Sequence, residues 1–191
     1  MRYFLELCLK SVQKAITTLD AEIIVVDNNS TDESCKMIKQ LFPEINLIEN
    51  KQNFGFSKGN NLGVAIAKGE YICILNPDTV VAEDTFTSII AFADKQKNLG
   101  IVGCKLIDGT GQFLPESKRN IPTVEVALKK IIGDSKKYYA KHLDENTTGK
   151  AAILVGAFML MKRNLYRKMN GFDEDFFMFG EDIDISYRVL N

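Results

Sequence analysis

The chain has 191 residues and a formal net charge of −1, a balance that gives no general pull toward nucleic acid or anionic lipid. Its length suits one sizeable core, so a single domain is expected over residues 1–191. The longest apolar stretch, around Ile153 to Met161, contains a glycine and is about half of the roughly 20 residues a spanning helix needs.

The first segment reads as helix, because Leu5, Cys8, Val12, Ala15 and Leu19 recur at near-helical spacing. A strand is predicted over 22–27, where Ile23, Ile24, Val25 and Val26 run into Asp27. Ser30 or Thr31 is expected to cap the next helix, which carries Met37, Ile38 and Leu41 and stops before Pro43. A short strand follows at 45–48. A polar loop then leads to a helix capped by Ser57 and closed near Gly69. Further strands are predicted over 70–75 and 101–104, on either side of a helix over 83–95. This alternation of strand and helix is the signature of βαβ units, so the expected class is α/β, with a Rossmann-like, mostly parallel sheet and flanking helices.

From about 108 to 150 the pattern weakens. Gly109, Gly111 and Pro115 mark a turn or hairpin, and an amphipathic helix fits 123–132. Lys118, Arg119, Lys129, Lys130, Lys136, Lys137 and Lys141 make this the most basic stretch. Such a segment can rest on an anionic membrane, and the plain alternative is a solvated surface. His142 is the sole histidine and is given no role, which argues against a histidine triad or a zinc site. A strand over 153–161, a short helix from Arg163 and a last helix from about Glu181 complete the chain. Cys8, Cys35, Cys73 and Cys104 form no CxxC pair and read as reduced core thiols of a cytosolic protein. Both ends are expected to be truncated: the chain opens inside a helix where such sheets usually open with a strand, and it stops with the last helix barely formed.

The candidate chemistry sits where apolar strands end. Asp27 and Asp78 close two of them, and ligands of parallel sheets collect at the carboxyl ends of strands. Asp and Asn in the 27–30 turn can bond a nucleotide base, while Ser30, Thr31 and Asp32 can cap a helix; Asp27 is the residue least needed for capping. Gly55, Gly59 and Gly63 are four apart, which lines one helix face for close packing on a sheet, and phosphate binding is the other reading. Asn53, Phe54 and Phe56 have no evident packing role in so polar a loop. Pro77 restricts the turn that holds Asp78, and a hard divalent ion is served by one or two carboxylates plus phosphate oxygens. Glu181, Asp182 and Asp184 open a helix whose dipole favours acids, and Arg188 is placed to pair with Asp184. Asp182 then lies on another face, where a carboxylate can serve as general base.

In order and spacing, IIVVDNNSTDES (23–34), NKQNFGFSKGNNLG (50–63), GEYICILNPDTVV (69–81), VGAFMLMKR (155–163) and GFDEDFFMFGEDIDISYR (171–188) resemble the family 2 glycosyltransferases of the GT-A fold, in particular their rhamnosyltransferase-like branch. The resemblance implies an inverting transfer of sugar from a nucleotide-diphosphate sugar to an acceptor hydroxyl. The setting would be cell-surface polysaccharide or glycan synthesis, in the cytoplasm or at the inner face of the membrane. It implies that Asp27 and Asn29 contact the nucleotide, and that Asn53, Gly55 and Asn60 line the donor pocket. Asp78 would hold Mg²⁺ or Mn²⁺, with Asn76 where many relatives carry the first Asp of a DxD motif. Asp182 would be the catalytic base and Arg188 a support for its helix. Partners so implied are the donor and a glycan or lipid-linked acceptor, without nucleic acid. The family's opening strand, one wall of the nucleotide pocket, has no counterpart in this sequence. A sugar nucleotidyltransferase, a binding-only module and a glycosidase are the alternative readings.

Overall fold

The computed structural model describes residues 1–121, 138–140 and 143–191. The helix predicted over 123–132, the basic residues Lys129, Lys130, Lys136, Lys137 and Lys141, and His142 lie outside the described residues.

Helix α1 (Arg2–Ala15) opens the described chain and divides its apolar residues between two neighbours. Cys8, Val12 and Ala15 pack with Phe86, Ile89, Phe158 and Leu160, while Leu5 and Leu9 pack with Met37, Ile38 and Phe42. Strand β1 (Ile24–Asp27) runs parallel to β2 (Asn46–Glu49), in the register Ile24 to Asn46 through Asp27 to Glu49. Helix α2 (Ser34–Leu41) crosses between them. It begins later than Ser30 or Thr31 would allow: Glu33 is its N-cap residue, in the left-handed region at φ 63°, and makes no side-chain cap bond. Asp32 does the capping instead, accepting from the Ser34 N–H at 3.2 Å and from the Ser34 hydroxyl at 2.5 Å.

Helix α3 (Gly55–Ile66) lies on β1. A Cβ on Gly63 would stand 3.1 Å from Val26 Cγ2, so the absence of a side chain there permits the close approach, as the four-residue glycine spacing predicts. Ser57 does not cap this helix. It lies inside it, buried, and the N–H of Gly55 is taken by Asn53 Oδ1 at 2.9 Å.

Strand β3 (Tyr71–Leu75) pairs antiparallel with β6 (Phe158–Lys162), and β4 (Lys118–Arg119) pairs antiparallel with β5 (Ile153–Leu154). Parallel and antiparallel pairs therefore coexist in the α/β arrangement. The predicted strand over 153–161 is broken into β5 and β6 around Gly156, and the predicted strand over 101–104 contributes only a bridge from Val102 to Leu160. The hairpin read at Gly109 and Gly111 is present as a bridge between Ile107 and Phe113. Both faces of the β3–β6 pair are covered. Phe158 and Leu160 join the cluster under α1 and α4 (Thr85–Ala93), whereas Ile72, Ile74, Met159 and Met161 join Tyr166, Phe172 and Ile185. Those last residues belong to α5 (Arg163–Lys168), to the loop after it and to α6 (Glu181–Leu190). Alternation along a strand sends successive side chains to opposite faces, so two apolar faces require two covering layers. Among the described residues no helix is long and apolar enough to cross a membrane. All four cysteines are free thiols.

Candidate active site

Asp27 is the last residue of β1 and is buried at 8 % exposure. Its Oδ2 accepts the Ser30 N–H at 2.9 Å. Burial, and then the neighbouring Asp27 carboxylate, push the Cys35 thiol up to about 12, so it stays neutral. Asp27, expected to be the residue least needed for capping, takes no part in capping α2 and organises the turn after β1. Asn29, exposed beside it, adopts the left-handed region at φ 65°, a conformation that Asn tolerates better than most residues.

The link from this turn to α3 runs through Asn28, which the sequence reading leaves without a role. Its amide donates to the Gly55 carbonyl at 2.9 Å and its Oδ1 accepts from Asn50 at 2.9 Å. A Cβ on Gly59 would press within 3.2 Å of the same amide. Gly55 sits at φ +81°, and its Cβ position lies 2.4 Å from the Phe177 carbonyl oxygen, which accepts the Phe56 N–H at 2.7 Å. The start of α3 is therefore pinned between the β1 turn and the aromatic run before α6. Phe56 stacks edge-on against Phe172 with centroids 5.6 Å apart, and Lys58 Nζ lies 5.0 Å from the Phe54 ring. These contacts supply the packing roles that the polar loop did not advertise. The Asn60 amide, half-buried, donates to the Phe56 carbonyl at 2.9 Å.

Asn61, next in the chain, carries a larger load. Its Oδ1 accepts the Tyr166 hydroxyl at 2.6 Å and the Phe172 N–H at 3.0 Å, and its amide donates to the Phe172 carbonyl at 2.9 Å. Burial raises the Tyr166 phenol above its ordinary range, so it remains a donor. The loop that precedes α6 is thereby fastened to α3 across more than a hundred residues of sequence. A cavity of about 360 Å³ opens beside this knot, lined in part by Asn61, Tyr166, Gly171 and Glu174; Asp27, Asp78 and Asp182 are not in its wall.

Asp78 lies in the turn after β3. Thr79 N–H donates to the Asn76 carbonyl at 3.2 Å, and Asn76 N–H to the Ala157 carbonyl at 3.0 Å. The Asp78 side chain is exposed and makes no ion pair or hydrogen bond among the described residues. No group of three or more His, Cys, Asp or Glu side chains fit to hold a metal occurs there either. An uncommitted carboxylate fits a hard divalent ion that draws its other ligands from water and phosphate.

Asp182, in the first turn of α6, is 8 % exposed. Its Oδ2 accepts from Arg119 Nη2 and from the Gly156 N–H at 3.2 Å. Arg119 comes from β4 and is itself 9 % exposed; it also reaches the Tyr138 hydroxyl and the Leu154 carbonyl, each at 3.4 Å. Burial pulls its guanidinium down, and the Asp182 charge with the Tyr138 hydroxyl outweighs that, leaving it above its ordinary value. Glu181 is buried at 6 % exposure with Oε2 unpartnered, and burial raises its carboxyl above the usual range. Arg188 meets the expectation for it: Nη2 and Nε hold Asp184 Oδ2 at 2.5 and 2.8 Å, and the guanidinium also donates to the Met169 and Gly171 carbonyls.

Residues 156 and 157 join the two acidic sites. Gly156 N–H reaches Asp182 and Ala157 carbonyl holds the Asp78 turn, while a Cβ on Gly156 would lie 3.5 Å from the Phe56 ring. The hosts of Asp27, Asp78 and Asp182 are thus one connected structure, although the three carboxylates do not touch.

The profile of the family Glycosyl transferase family 2 matches residues 3–169. The chain is 26% identical over 190 residues to the rhamnosyltransferase WbbL of Escherichia coli strain K12, an alignment that covers 93% of this chain and 71% of that protein. It is 23% identical over 203 residues to the N-acetylglucosaminyl-diphospho-decaprenol L-rhamnosyltransferase of Mycobacterium tuberculosis, covering 97% of this chain and 66% of that one. Among solved structures it resembles the mannosyltransferase PcManGT of Pyrobaculum calidifontis in complex with GDP-Man and Mn²⁺. That match has a TM-score of 0.69 at 19% identity and covers 99% of this chain and 48% of that chain. TarS 1-349 of S. aureus in complex with UDP matches with a TM-score of 0.63 at 19% identity, covering 98% of this chain and 51% of that chain. The chain therefore spans about half the length of these solved structures, whose shared architecture is the GT-A fold. With the family profile spanning most of its length, the chain belongs to glycosyl transferase family 2.

Proposed function

We propose that this chain carries the catalytic core of an inverting glycosyltransferase that moves a sugar from a nucleoside diphosphate to an acceptor hydroxyl. The observation that carries the reading is the connection of an exposed, uncommitted Asp78 to a buried, anchored Asp182 through Gly156 and Ala157. Two carboxylates with opposite environments suit two tasks, one at the leaving group and one at the acceptor. Asp27 and Asn29 face the nucleotide, and Asn53, Gly55 and Asn60 shape the donor pocket. Asp78 would hold Mg²⁺ or Mn²⁺, which when bound supplies positive charge for the departing diphosphate. Asp182 takes the proton of the acceptor hydroxyl as its oxygen attacks the anomeric carbon from the face opposite the leaving group. The name of the mycobacterial relative favours a lipid-linked acceptor; with such an acceptor, or a glycan, the chain would act in cell-surface polysaccharide synthesis, from the cytoplasm at the inner membrane face.

One paired experiment tests the reading. Asp78→Asn should abolish the Mn²⁺-dependent part of nucleoside-diphosphate binding in calorimetry and leave the fold intact. Asp182→Asn should leave that binding nearly unchanged and cut kcat at least about a hundredfold. Metal-dependent affinity that survives Asp78→Asn would remove the metal role, and near-normal turnover of Asp182→Asn would remove the base.

A further inference from the structure

Asp182 is held by one oxygen only. Arg119 Nη2 and the Gly156 N–H both bond Oδ2, and no hydrogen bond among the described residues reaches Oδ1. Oδ1 is not among the sealed, unpartnered atoms either, whereas the neighbouring Glu181 Oε2 is. The carboxylate is thus gripped on one side and left accessible on the other. The grip is itself rigid: Arg119 sits in β4, paired to β5 with Arg119 opposite Ile153, and its guanidinium also reaches Tyr138 and Leu154. Side chains of the Arg119–Asp182 pair are each 11% exposed. Guanidinium geometry matters here: Nη2 meets Asp182 and the Leu154 carbonyl while Nη1 meets Tyr138, so one planar group is fixed by three partners at once, which a single ammonium does not match.

We propose that Arg119 is the positioning residue for Asp182: it clamps Oδ2 and turns Oδ1 toward the acceptor hydroxyl. The inference rests on the reading of Asp182 as base. In the step it serves, the acceptor O–H proton passes to Oδ1 and the acceptor oxygen forms the new bond to the anomeric carbon. The old bond to the diphosphate breaks, and its electron pair leaves with the diphosphate. Arg119 stays bonded to Oδ2 throughout and touches neither sugar. It comes from the stretch around β4, so the base is oriented by a part of the chain remote in sequence from both α6 and the donor loops.

The test is a double-mutant cycle in the active enzyme, with kcat, KM for the donor and nucleoside-diphosphate affinity measured for each form. Arg119→Met should cut kcat about ten- to a hundredfold with donor KM and affinity nearly unchanged. Arg119→Lys, which keeps the charge and loses the fork, should recover only part of that loss. Because Arg119 acts through Asp182, Arg119→Met with Asp182→Asn should be no slower than Asp182→Asn alone. Losses that multiply, or wild-type kcat in Arg119→Lys, would overturn the positioning role. If Arg119→Met does not fold because it strands a buried carboxylate, the Lys variant and the double variant, which strands none, decide the matter. Near-normal kcat of Asp182→Asn defeats the base reading itself; a dead Asp182→Asn beside a fully active Arg119→Lys defeats only the clamp.

Discussion

Asp78 and Asp182 occupy regions built in opposite ways. The rim that carries Asp27 and Asp78 is assembled from short apolar strands that run straight into polar turns, and each turn is closed by a bond between near neighbours: Asp27 with Ser30, Asn53 with Gly55, Asn76 with Thr79. The platform that carries Asp182 is assembled from distant pieces, with Arg119 and Gly156 reaching α6 and Asn61 reaching Phe172. Within the rim Asp27 is buried and bonded to its own turn, and Asp78 alone is left in solvent, open to a ligand's charge. The platform withdraws Asp182 from solvent and fixes it with a cation and a backbone N–H, so that the protein alone organises this carboxylate. Asp78 is left open, whereas Asp182 is set in advance by groups of the fold.

The seam between the two regions is the place to break them apart with the largest effect. Gly55 stands at φ +81°, and a Cβ there would lie 2.4 Å from the Phe177 carbonyl oxygen. Backbone, not a flexible side-chain tip, must move to admit it. Gly55→Ala should therefore cost about 2–4 kcal/mol, combining left-handed strain with a displaced Phe56–Phe177 hydrogen bond. Gly109→Ala is the control, since no atom lies within 4 Å of its Cβ position, and it should stay within about 0.5 kcal/mol. Denaturant unfolding of both variants gives the comparison. Equal stabilities would mean that the seam is not set as tightly as the contact with Phe177 requires.

What the sequence reveals follows the same division. The alternating apolar pattern locates β1, α3 and β3, and the glycine spacing correctly predicts that α3 lies close on β1, because these elements are made by neighbours along the chain. The cap of α2 stays undecided among Ser30, Thr31 and Asp32, which are chemically similar candidates, and the choice of Asp32 depends on where Glu33 turns left-handed. The break at Gly156 is hidden inside an apolar run, since its cause is the approach of Asp182 and Phe56 from elsewhere. Arg119 passes for one more charge in a basic stretch. Only its burial against Asp182 distinguishes it, and burial by remote residues leaves no periodicity to read. Asn61 is overlooked for the same reason: Asn60 and Asn61 look alike until Phe172 and Tyr166 arrive.

Asn61 offers a smaller break, inside the platform's fastening. Asn61→Ala would strip partners from the Phe172 N–H, the Phe172 carbonyl and the Tyr166 hydroxyl. The cost should be about 1–3 kcal/mol. Hydrogen exchange should localise the loosening to residues around 170–176 and leave the β1 turn protected. Protection lost equally at both places would erase the distinction between the regions.

The smallest effect, and the one that sharpens the comparison most, is the pH response of Glu181. Its Oε2 is buried without a partner, and burial raises its carboxyl above the ordinary value of 4.5. A carboxyl raised on folding binds its proton more tightly in the folded than in the unfolded chain. Stability is then greatest below the unfolded value and declines as pH rises from there through the raised folded value. Glu181→Gln cannot ionise and lacks that decline. Plotted as wild type minus variant, melting temperature should fall across the window that begins near 4.5 and level off above it. A flat difference for Glu181→Gln would place that side chain in solvent and remove the contrast between the exposed Asp78 and a platform withdrawn from water.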